Sequence, residues 1–352
     1  MAENQRSKVT LRDIATETGY SVNAVSRALR GLNDIGPAAS QRIREAADRL
    51  GYVGNLSARA LRSGRTWSIS LLVPSMTNPY FSVMTDLIQV QARHRGYSLS
   101  VMCIRDDPVM AMQCAEQAIA RCADGVLLFP IHGCEAVLQR LFDAGMPCVQ
   151  LSASVSDTLS DSVVIDDEEG GRLAALALAD AGCRKVCFMS ASGLTVSVDP
   201  RRNGFLRGCR QAGYAPEAVV CRDYDEWYFT VTEEQRWRGL MTEELLRLRS
   251  TGVDGLFAFC DMEAYRVLNL LEDSDELSPK DFCVVGFDNM SAYLNLMKSV
   301  CTVDGGQEEI AEVGMECLLR RIEGDDRHPV HHPCAVRLIP GKTAAPVTHR
   351  NR

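Results

Sequence analysis

Residues 10–29, TLRDIATETGYSVNAVSRAL, constrain the fold more than any other stretch, because they fit two short helices separated by a tight turn. Thr10 and Asp13 have the spacing of a capping box, in which a hydroxyl and a carboxylate hold the first free amides of a helix. Gly19 suits the left-handed position that ends a helix, and Ser21 suits the position that caps the next one. The stretch therefore predicts a helix–turn–helix unit.

The second of these helices has two different faces. Val25 and Leu29 are one turn apart and face inward, whereas Asn23, Arg27 and Arg30 lie on the outward side. An Asn near a helix start can pair bidentately with adenine, and an Arg one turn later can bind guanine or a phosphate. The pattern predicts a helix that reads the major groove of DNA. A helical hairpin with an ordinary polar face is the alternative that these residues leave open.

The segment that follows favours the DNA-binding interpretation. A third helix is predicted from Pro37, since proline is tolerated at the first helical position, and it ends at Gly51. The stretch as far as Gly64 completes a long pattern: T-L-x-D-I-A, G-x-S, V-S-R-A-L, G-Y-V-x-N and A-x-x-L, in this order. With this pattern the chain resembles the lactose/galactose-repressor family of transcription regulators.

The resemblance implies how the head contacts operator DNA. Val22 would contact a thymine methyl group and Asn23 would pair with adenine. Residues 55–63 are too short to form a stable helix alone in water, but in the family this hinge folds when two protomers meet on the operator. There Leu61 would be wedged into the minor groove, with Ala58 close to the partner helix; a flexible linker is the alternative. The implied DNA-binding residues are Thr10, Ser21, Val22, Asn23, Ser26, Arg27, Arg30, Asn55, Ala58 and Leu61.

Charge is divided unevenly along the chain. Residues 1–65 contain eleven Lys and Arg against six Asp and Glu, a net charge of +5, whereas the rest contains 27 against 40, a net charge of −13. A small basic module confines the attraction for phosphate to one end of the molecule. The acidic remainder is not expected to bind nucleic acid.

Composition also bears on location and metal content. There is no apolar run of 18 residues, which predicts no membrane span, and the start lacks a secretion signal, which predicts a cytoplasmic protein. The fourteen cysteines lie between residues 103 and 334 without a C-x-x-C pair and fit buried thiols of a reducing compartment. His328, His331 and His332 could bind a metal. No Cys or acid stands beside them at ligand spacing, so a solvated loop, no metal and no cofactor are predicted.

From Trp67 onward, short buried strands alternate with amphipathic helices, as in the strands predicted at residues 69–73, 99–103 and 125–128. Such alternation predicts parallel sheets with helices on both faces, which bind ligands at the carboxyl ends of their strands. The sequence contains no G-x-G-x-x-G or Walker phosphate-binding loop, no G-x-S-x-G turn and no H-E-x-x-H pair. The pattern favours binding over catalysis and predicts that the protein is not an enzyme.

The family resemblance extends to about residue 342 and implies a periplasmic-binding-protein-like α/β core of two doubly wound parallel-sheet subdomains after the all-α head. Four motifs carry it: N-P-Y-F at 78–81, V-I-D at 164–166, R-x-x-G-F at 201–205 and V-G-F-D-N at 285–289. The expected boundaries are 8–54 for the DNA-binding domain, 55–66 for the hinge, 67–342 for the core and 343–352 for the tail. Within the core, the first subdomain is expected at about 67–165 and 293–326, and the second at about 166–292 and 327–342.

In the family these motifs converge on an effector between the subdomains. By this resemblance Tyr80 and Phe81 would stack on the ligand, Arg201 would donate hydrogen bonds and Asp288 would accept them. The effector-binding residues implied in this way are Tyr80, Phe81, Asp166, Arg201, Tyr224, Asp261 and Asp288.

Ordinary structural roles are the alternatives. Phe81 could belong to the core, Arg201 and Asp288 could form an ion pair, and Asp166 could begin a helix with favourable dipole placement. The aromatic stretch at 227–237 could form a lid or pack within its own subdomain.

The sequence as a whole predicts a cytoplasmic, sequence-specific transcription regulator whose operator affinity is controlled by a small metabolite. It is expected to be a repressor, with an activator as the alternative. One recognition helix covers only a few base pairs, so a homodimer on a pseudo-palindromic operator is expected. The effector is expected to be a sugar, with a purine or nucleoside as the alternative. A solute-binding protein without a regulatory role is the alternative function, which the basic head disfavours.

Overall fold

The computed structural model describes residues 9–29, 34–52, 64–191, 196–224, 234–295 and 299–344. Internal contacts divide the chain into two compact units, residues 1–66 and residues 67–352, and each unit has its own apolar core. No helix among the described residues is long and apolar enough to cross a membrane.

The described residues of the first unit form the helices α1 (Leu11–Thr18), α2 (Val22–Leu29) and α3 (Pro37–Leu50). The Asp13 carboxylate accepts hydrogen bonds from the Thr10 amide and hydroxyl, both at 2.8 Å, and Gly19 ends α1 with a φ of 75°. The predicted helix–turn–helix is confirmed. Its core consists of Ile14, Val25, Ala28, Ile43, Ala46 and Ala47.

The first sheet of the second unit has six parallel strands in the order β11-β5-β4-β3-β1-β2. In chain order these strands are β1 (Ser68–Val73), β2 (Ser98–Cys103), β3 (Gly125–Leu128), β4 (Cys148–Ser152), β5 (Asp161–Ile165) and β11 (His331–Cys334). Helices cover both faces of this sheet, and neighbouring residues of one strand accordingly pack in different cores. Leu71 packs in the larger core with Met84, whereas Leu72 packs in the smaller one with Leu138. The helices of this subdomain are α4 (Pro79–His94), α5 (Pro108–Ala120), α6 (Glu135–Asp143) and α11 (Gln307–Ile322).

The second sheet has the order β12-β10-β9-β8-β6-β7 and is parallel except for the β10–β12 pair. Its strands are β6 (Val186–Ala191), β7 (Val219–Tyr224), β8 (Gly255–Ala258), β9 (Cys283–Phe287), β10 (Cys301–Asp304) and β12 (Arg337–Ile339), and its helices are α7 (Asp167–Asp180), α8 (Val198–Gln211), α9 (Glu234–Ser250) and α10 (Asp261–Asp273). Two sheets of this type confirm the predicted fold class. All fourteen cysteines lie within the described residues, and eleven of them are buried.

Within the described part of the chain, the backbone passes between the sheets after β5, after β10 and after β11. The expected division places residues 293–326 in the first subdomain and residues 327–342 in the second, and the later passages differ from it. Cys301–Asp304 pairs with β9 in the second sheet, and His331–Cys334 pairs with β5 in the first. The difference has a physical reason: a four-residue strand carries no local signal for its partner, which long-range pairing decides.

Helices α7 and α8 cross unusually closely. A Cβ atom at Gly204 would lie 1.9 Å from the Glu168 carbonyl oxygen, and one at Gly171 would lie 2.0 Å from the Arg201 carbonyl oxygen. Only glycine fits at these positions, because real Cβ atoms do not approach backbone so closely. The crossing fixes the turn of α8 that carries Arg201.

Candidate nucleic-acid interface and ligand cavity

The outward surface of α2 begins with an apolar and an amide side chain. Val22 is 43% exposed, and Ser21 and Asn23 are exposed beside it. The Ser21 hydroxyl accepts a hydrogen bond from the Ala24 amide at 3.2 Å, so it caps α2 as predicted. A methyl-bearing and an amide side chain at the start of one helix can contact base edges in a major groove.

Three other residues proposed for DNA contact are engaged or buried within the unit. Arg27 is half-buried and forms an ion pair with Asp34, which is a surface interaction that a phosphate or base can replace. Ser26 is buried, so a groove-facing role for it requires movement. Thr10 is exposed, and its hydroxyl is bonded to Asp13. Arg30, Asn55, Ala58 and Leu61 lie outside the described residues.

A cavity of about 770 Å³, including its open mouth, lies between the two sheets of the second unit. It sits at the carboxyl ends of parallel strands, since Phe129 follows β3, Ala153 follows β4, Phe259 follows β8 and Asp288 follows β9. This is the place where sheets of this type bind ligands.

Three aromatic side chains form the wall on the side of the first sheet. Tyr80, Phe81 and Phe129 meet edge to face, with ring centroids 5.2 to 6.3 Å apart. The Tyr80 hydroxyl hydrogen-bonds to the Ser152 hydroxyl at 2.5 Å, and burial together with the charge of Asp288 raises its pKa. The tyrosine therefore stays neutral, and the wall offers ring faces and a hydroxyl pair to a ligand.

Arg201 lies on the opposite wall and is 3% exposed. Its guanidinium donates to the Asp167 carboxylate at 2.6 and 2.9 Å and to the Phe259 carbonyl oxygen. Its plane lies over the rings of Phe287 and Phe259, at 3.5 and 4.3 Å from their centroids. The structural ion pair of Arg201 is thus with Asp167 and not with Asp288. Burial raises the pKa of Asp167, and Arg201 opposes that shift.

Asp288 presents a carboxylate to the cavity. It is 6% exposed and lines the cavity, yet no hydrogen bond from a described residue reaches its carboxylate. Its φ is 106°, and its amide and carbonyl are bonded to Val303 and Gln307. Burial raises its pKa well above the usual value, while Arg201 lowers it and the carboxylates of Asp261 and Asp167 raise it further. Such a group can accept hydrogen bonds from hydroxyls or amines of a ligand.

Two family models match the chain. Residues 69–326 match the periplasmic binding protein domain, and residues 10–55 match the bacterial regulatory proteins of the lacI family. The chain belongs to the lacI family of bacterial regulatory proteins.

Full-length relatives share this lacI-family organisation. The HTH-type transcriptional regulator CelR of Thermobifida fusca is 26% identical over 333 residues, which cover 93% of this chain and 95% of CelR. The HTH-type transcriptional repressor PurR of Mannheimia succiniciproducens is 25% identical over 321 residues, covering 90% and 93%. This lacI-family chain is accordingly a DNA-binding transcription regulator with an allosteric effector domain.

Solved structures agree. A LacI-family transcriptional regulator from Silicibacter pomeroyi matches with a TM-score of 0.76 and 26% identity, covering 95% of this chain and 98% of that one. The complex of CelR with cellobiose matches with a TM-score of 0.63 and 24% identity, covering 95% and 99%, and shares the fold.

Three residues that the lacI-family resemblance singled out do not line the cavity. Asp166 caps α7 by accepting a hydrogen bond from the Glu169 amide at 2.9 Å, and Tyr224 lies at the end of β7. Asp261 is fully buried and accepts from the Met290 amide at 2.7 Å and the Thr302 hydroxyl at 2.6 Å; burial raises its pKa to about 7. The carboxylates of these two aspartates therefore accept hydrogen bonds from protein groups: a helix-start amide for Asp166, and a backbone amide and a hydroxyl for Asp261.

Two lining residues, Phe129 and Ser152, were not singled out from the sequence, although both stand where predicted strands end. That position was the available signal. No such signal marks Asp167, because its partner Arg201 is far away in sequence. Of the aromatic stretch 227–237, residues 227–233 lie outside the described residues. Trp237 is buried in α9 beneath Arg266, 3.7 Å from its ring centroid, which supports packing at this end of the stretch.

Proposed function

We propose that this regulator is a repressor that binds a pseudo-palindromic operator as a homodimer, under the control of a sugar bound in the cavity between the sheets. Because it acts on DNA, we place it in the cytoplasm, and we assign it no enzymatic activity. Tyr80, Phe81, Arg201 and Asp288 are the proposed contacts of the sugar.

The carboxylate of Asp288 carries the proposal for the effector. It is a buried acceptor that faces the cavity without a donor among the described residues, opposite a wall of aromatic rings. A sugar matches both sides, because its C–H faces pack on rings while its hydroxyls donate to a carboxylate. The cellobiose complex of CelR supports the same class.

Arg201 contributes mainly through charge and position in this proposal. Its guanidinium nitrogens are already bonded to Asp167 and Phe259, so it shapes the cavity and favours the ionised form of Asp288. A purine or nucleoside is the second candidate, because the same rings can stack on a base and the same carboxylate can accept from its amine.

The DNA proposal rests on the exposed start of α2. Val22 and Asn23 are presented there beside the apolar core that α1, α2 and α3 share, and a single helix of eight residues reaches only a few base pairs. Two copies on a two-fold symmetric site would double the contact area.

The test is operator binding by fluorescence anisotropy at two salt concentrations, with and without a panel of sugars, purines and nucleosides. We expect tight binding that weakens with salt and that one sugar shifts. A shift produced only by a purine would show that the effector is a purine and not a sugar. If a sugar binds the protein but no ligand changes operator binding, a solute-binding role would remain.

Asp288→Asn supplies the site-specific arm. It should weaken the sugar response, so that more sugar is needed for the same shift, and leave operator affinity without sugar unchanged. Asp275→Asn is the matched control, because it makes the same chemical change on an exposed carboxylate. Equal responses in the two variants would contradict the proposed effector site.

A further inference from the structure

The edge strand β11 presents two metal-ligating side chains on one face. Successive residues of a strand point to opposite sides, so His332 and Cys334 share a face and His331 lies on the other. The contacts agree: the His331 imidazole bonds to the Ser162 hydroxyl at 2.5 Å, whereas His332 reaches Glu309 in the first turn of α11.

The facing turn of α11 brings a third ligand. The Glu309 carboxylate lies 2.9 Å from Nε2 of His332. One carboxylate oxygen of Glu309, one imidazole nitrogen of His332 and the Sγ of Cys334 all lie within 4.8 Å of one another. The imidazole and carboxylate are partly exposed, 40% and 46%, while the cysteine is buried. The group therefore has a sulfur at its base and a mouth open to solvent.

We propose that Glu309, His332 and Cys334 form a transition-metal site that binds Zn²⁺. Bond lengths of about 2.0–2.3 Å in a tetrahedral arrangement place the ligand atoms about 3.3–3.8 Å apart, so rotamer adjustments within the present spacing bring them to a common ion. Thiolate, imidazole and carboxylate together select zinc over the hard cations Mg²⁺ and Ca²⁺, which take oxygen ligands. Three protein ligands leave a fourth position for water.

Gly306 adjoins the group, and a Cβ atom placed on it would lie 3.6 Å from the Cys334 Cβ and 3.7 Å from a Glu309 carboxylate oxygen. On binding, the metal takes the place of the Cys334 thiol proton, which is released to solvent, and the hydrogen bond between His332 and Glu309 gives way to two metal bonds.

The site flanks two of the passages between the subdomains. Glu309 lies in the first turn of the helix that follows the passage after β10, and Cys334 is the last residue of β11 before the passage to β12. Both anchoring elements belong to the first subdomain. The ion would therefore not bridge the subdomains; it would fix the ends of two connecting segments, independently of the effector and the operator.

The test is titration of the full-length protein with Co²⁺ and then Zn²⁺, followed by absorption and by thermal unfolding. We expect one Co²⁺ per chain, with a thiolate-to-cobalt charge-transfer band and tetrahedral d–d bands, displacement by Zn²⁺, and a rise in Tm with either metal. His332→Ala should remove the bands and the rise in Tm. This side chain is partly exposed, so the variant is expected to fold.

The matched control is His331→Ala, which removes a histidine from the opposite face of the same strand and should keep the bands. Cys334→Ser tests the sulfur, and circular dichroism shows whether it folds. Bands that survive in a folded Cys334→Ser or in His332→Ala, or cobalt binding without a charge-transfer band, would overturn the proposal.

Discussion

At the scale of single residues, Asp288 combines features that a protein does not gain for stability alone. Its carboxylate is buried in the cavity, its pKa is raised, and its backbone lies at a positive φ that side chains rarely adopt. Strain of this kind persists when surrounding bonds impose it, and it clusters at ligand sites. Bonds to Val303 and Gln307 impose it here.

Asp288→Asn should make the ligand-free protein more stable at neutral pH. Because burial raises the folded-state pKa of Asp288 above its ordinary value of 3.8, ionisation destabilises the folded form as pH rises through that raised pKa. The asparagine variant does not ionise, so its advantage should be present at neutral pH and disappear in acid. Thermal unfolding of both proteins across pH measures this; an advantage that is independent of pH would contradict it.

The same substitution should weaken sugar binding by about 1.5–3 kcal/mol, the range for a hydrogen bond to a charged group. In the wild type, affinity should fall as pH is lowered through the raised pKa of Asp288, since the protonated carboxyl loses acceptor capacity. The asparagine variant should show no such fall. Calorimetric titration at several pH values distinguishes the two profiles.

Asn23→Ala should relax the preference at one base pair of each operator half-site by about 1–3 kcal/mol. The measurement is anisotropy on operators substituted one base pair at a time. Gln41→Ala, an exposed amide on α3, is the control and should leave base preference intact. A uniform loss on all operator variants would assign Asn23 to the backbone.

Residue-level prediction from sequence succeeded in part. Tyr80, Phe81, Arg201 and Asp288 lie together at the cavity, because short motifs at strand ends record their positions; their contact with ligand stays a prediction. Asp261 also follows a strand, yet its carboxylate already accepts hydrogen bonds from a backbone amide and a threonine hydroxyl. Local sequence does not distinguish an aspartate whose carboxylate is bonded to the backbone from one whose carboxylate is available to a ligand.

At the scale of elements, the crossing of α7 and α8 determines where Arg201 stands. Glycines at the contact allow the two backbones to touch, and Asp167 at the start of α7 meets Arg201 on α8. The helices themselves, Asp167–Asp180 and Val198–Gln211, follow from the alternation of strands and helices predicted from Trp67 onward. The closeness of their packing was not predictable, because it depends on residues distant in sequence.

Gly204→Ala should destabilise the protein by about 1–3 kcal/mol or more, since the added methyl group would meet the Glu168 carbonyl oxygen. Gly239→Ala is the matched control in α9, where the added Cβ meets nothing within 4 Å, and it should stabilise by about 0.5–1 kcal/mol. Urea unfolding reports both changes. Equal effects would mean that the α7–α8 contact relaxes without loss.

At the scale of the whole molecule, a hydrogen bond connects the cavity to a segment where the chain passes between the two sheets. Gln307 donates a hydrogen bond to the Asp288 carbonyl oxygen and is the first residue of α11, just beyond the passage after β10. A ligand that moves Asp288 would therefore act on the start of α11, where the chain has just passed between the subdomains. The sequence predicted two subdomains but misassigned the two short strands beside these passages, because their partners are set by long-range pairing.

Effector and operator should each change the affinity for the other by the same factor, about 5- to 150-fold, which corresponds to about 1–3 kcal/mol. Gln307→Ala should reduce this factor while sugar binding is retained, because the start of α11 loses its hydrogen bond to the Asp288 carbonyl oxygen. Anisotropy with and without sugar gives one factor, and calorimetry with and without operator gives the other. Unequal factors would indicate that the two ligands do not act on one equilibrium.

The late position of β11 also bears on how the protein is made. His331 bonds to Ser162 across a separation of 169 residues, so β5 has an unfilled edge throughout translation of the second subdomain. An open edge of apolar strands is a template for wrong pairing, and partners this distant in sequence meet slowly. The first subdomain, although most of it leaves the ribosome early, is completed only when nearly the whole chain has been synthesised. The nascent regulator thus passes through a stage in which the first sheet has five of its six strands, and the open edge of β5 is what chaperones would have to protect.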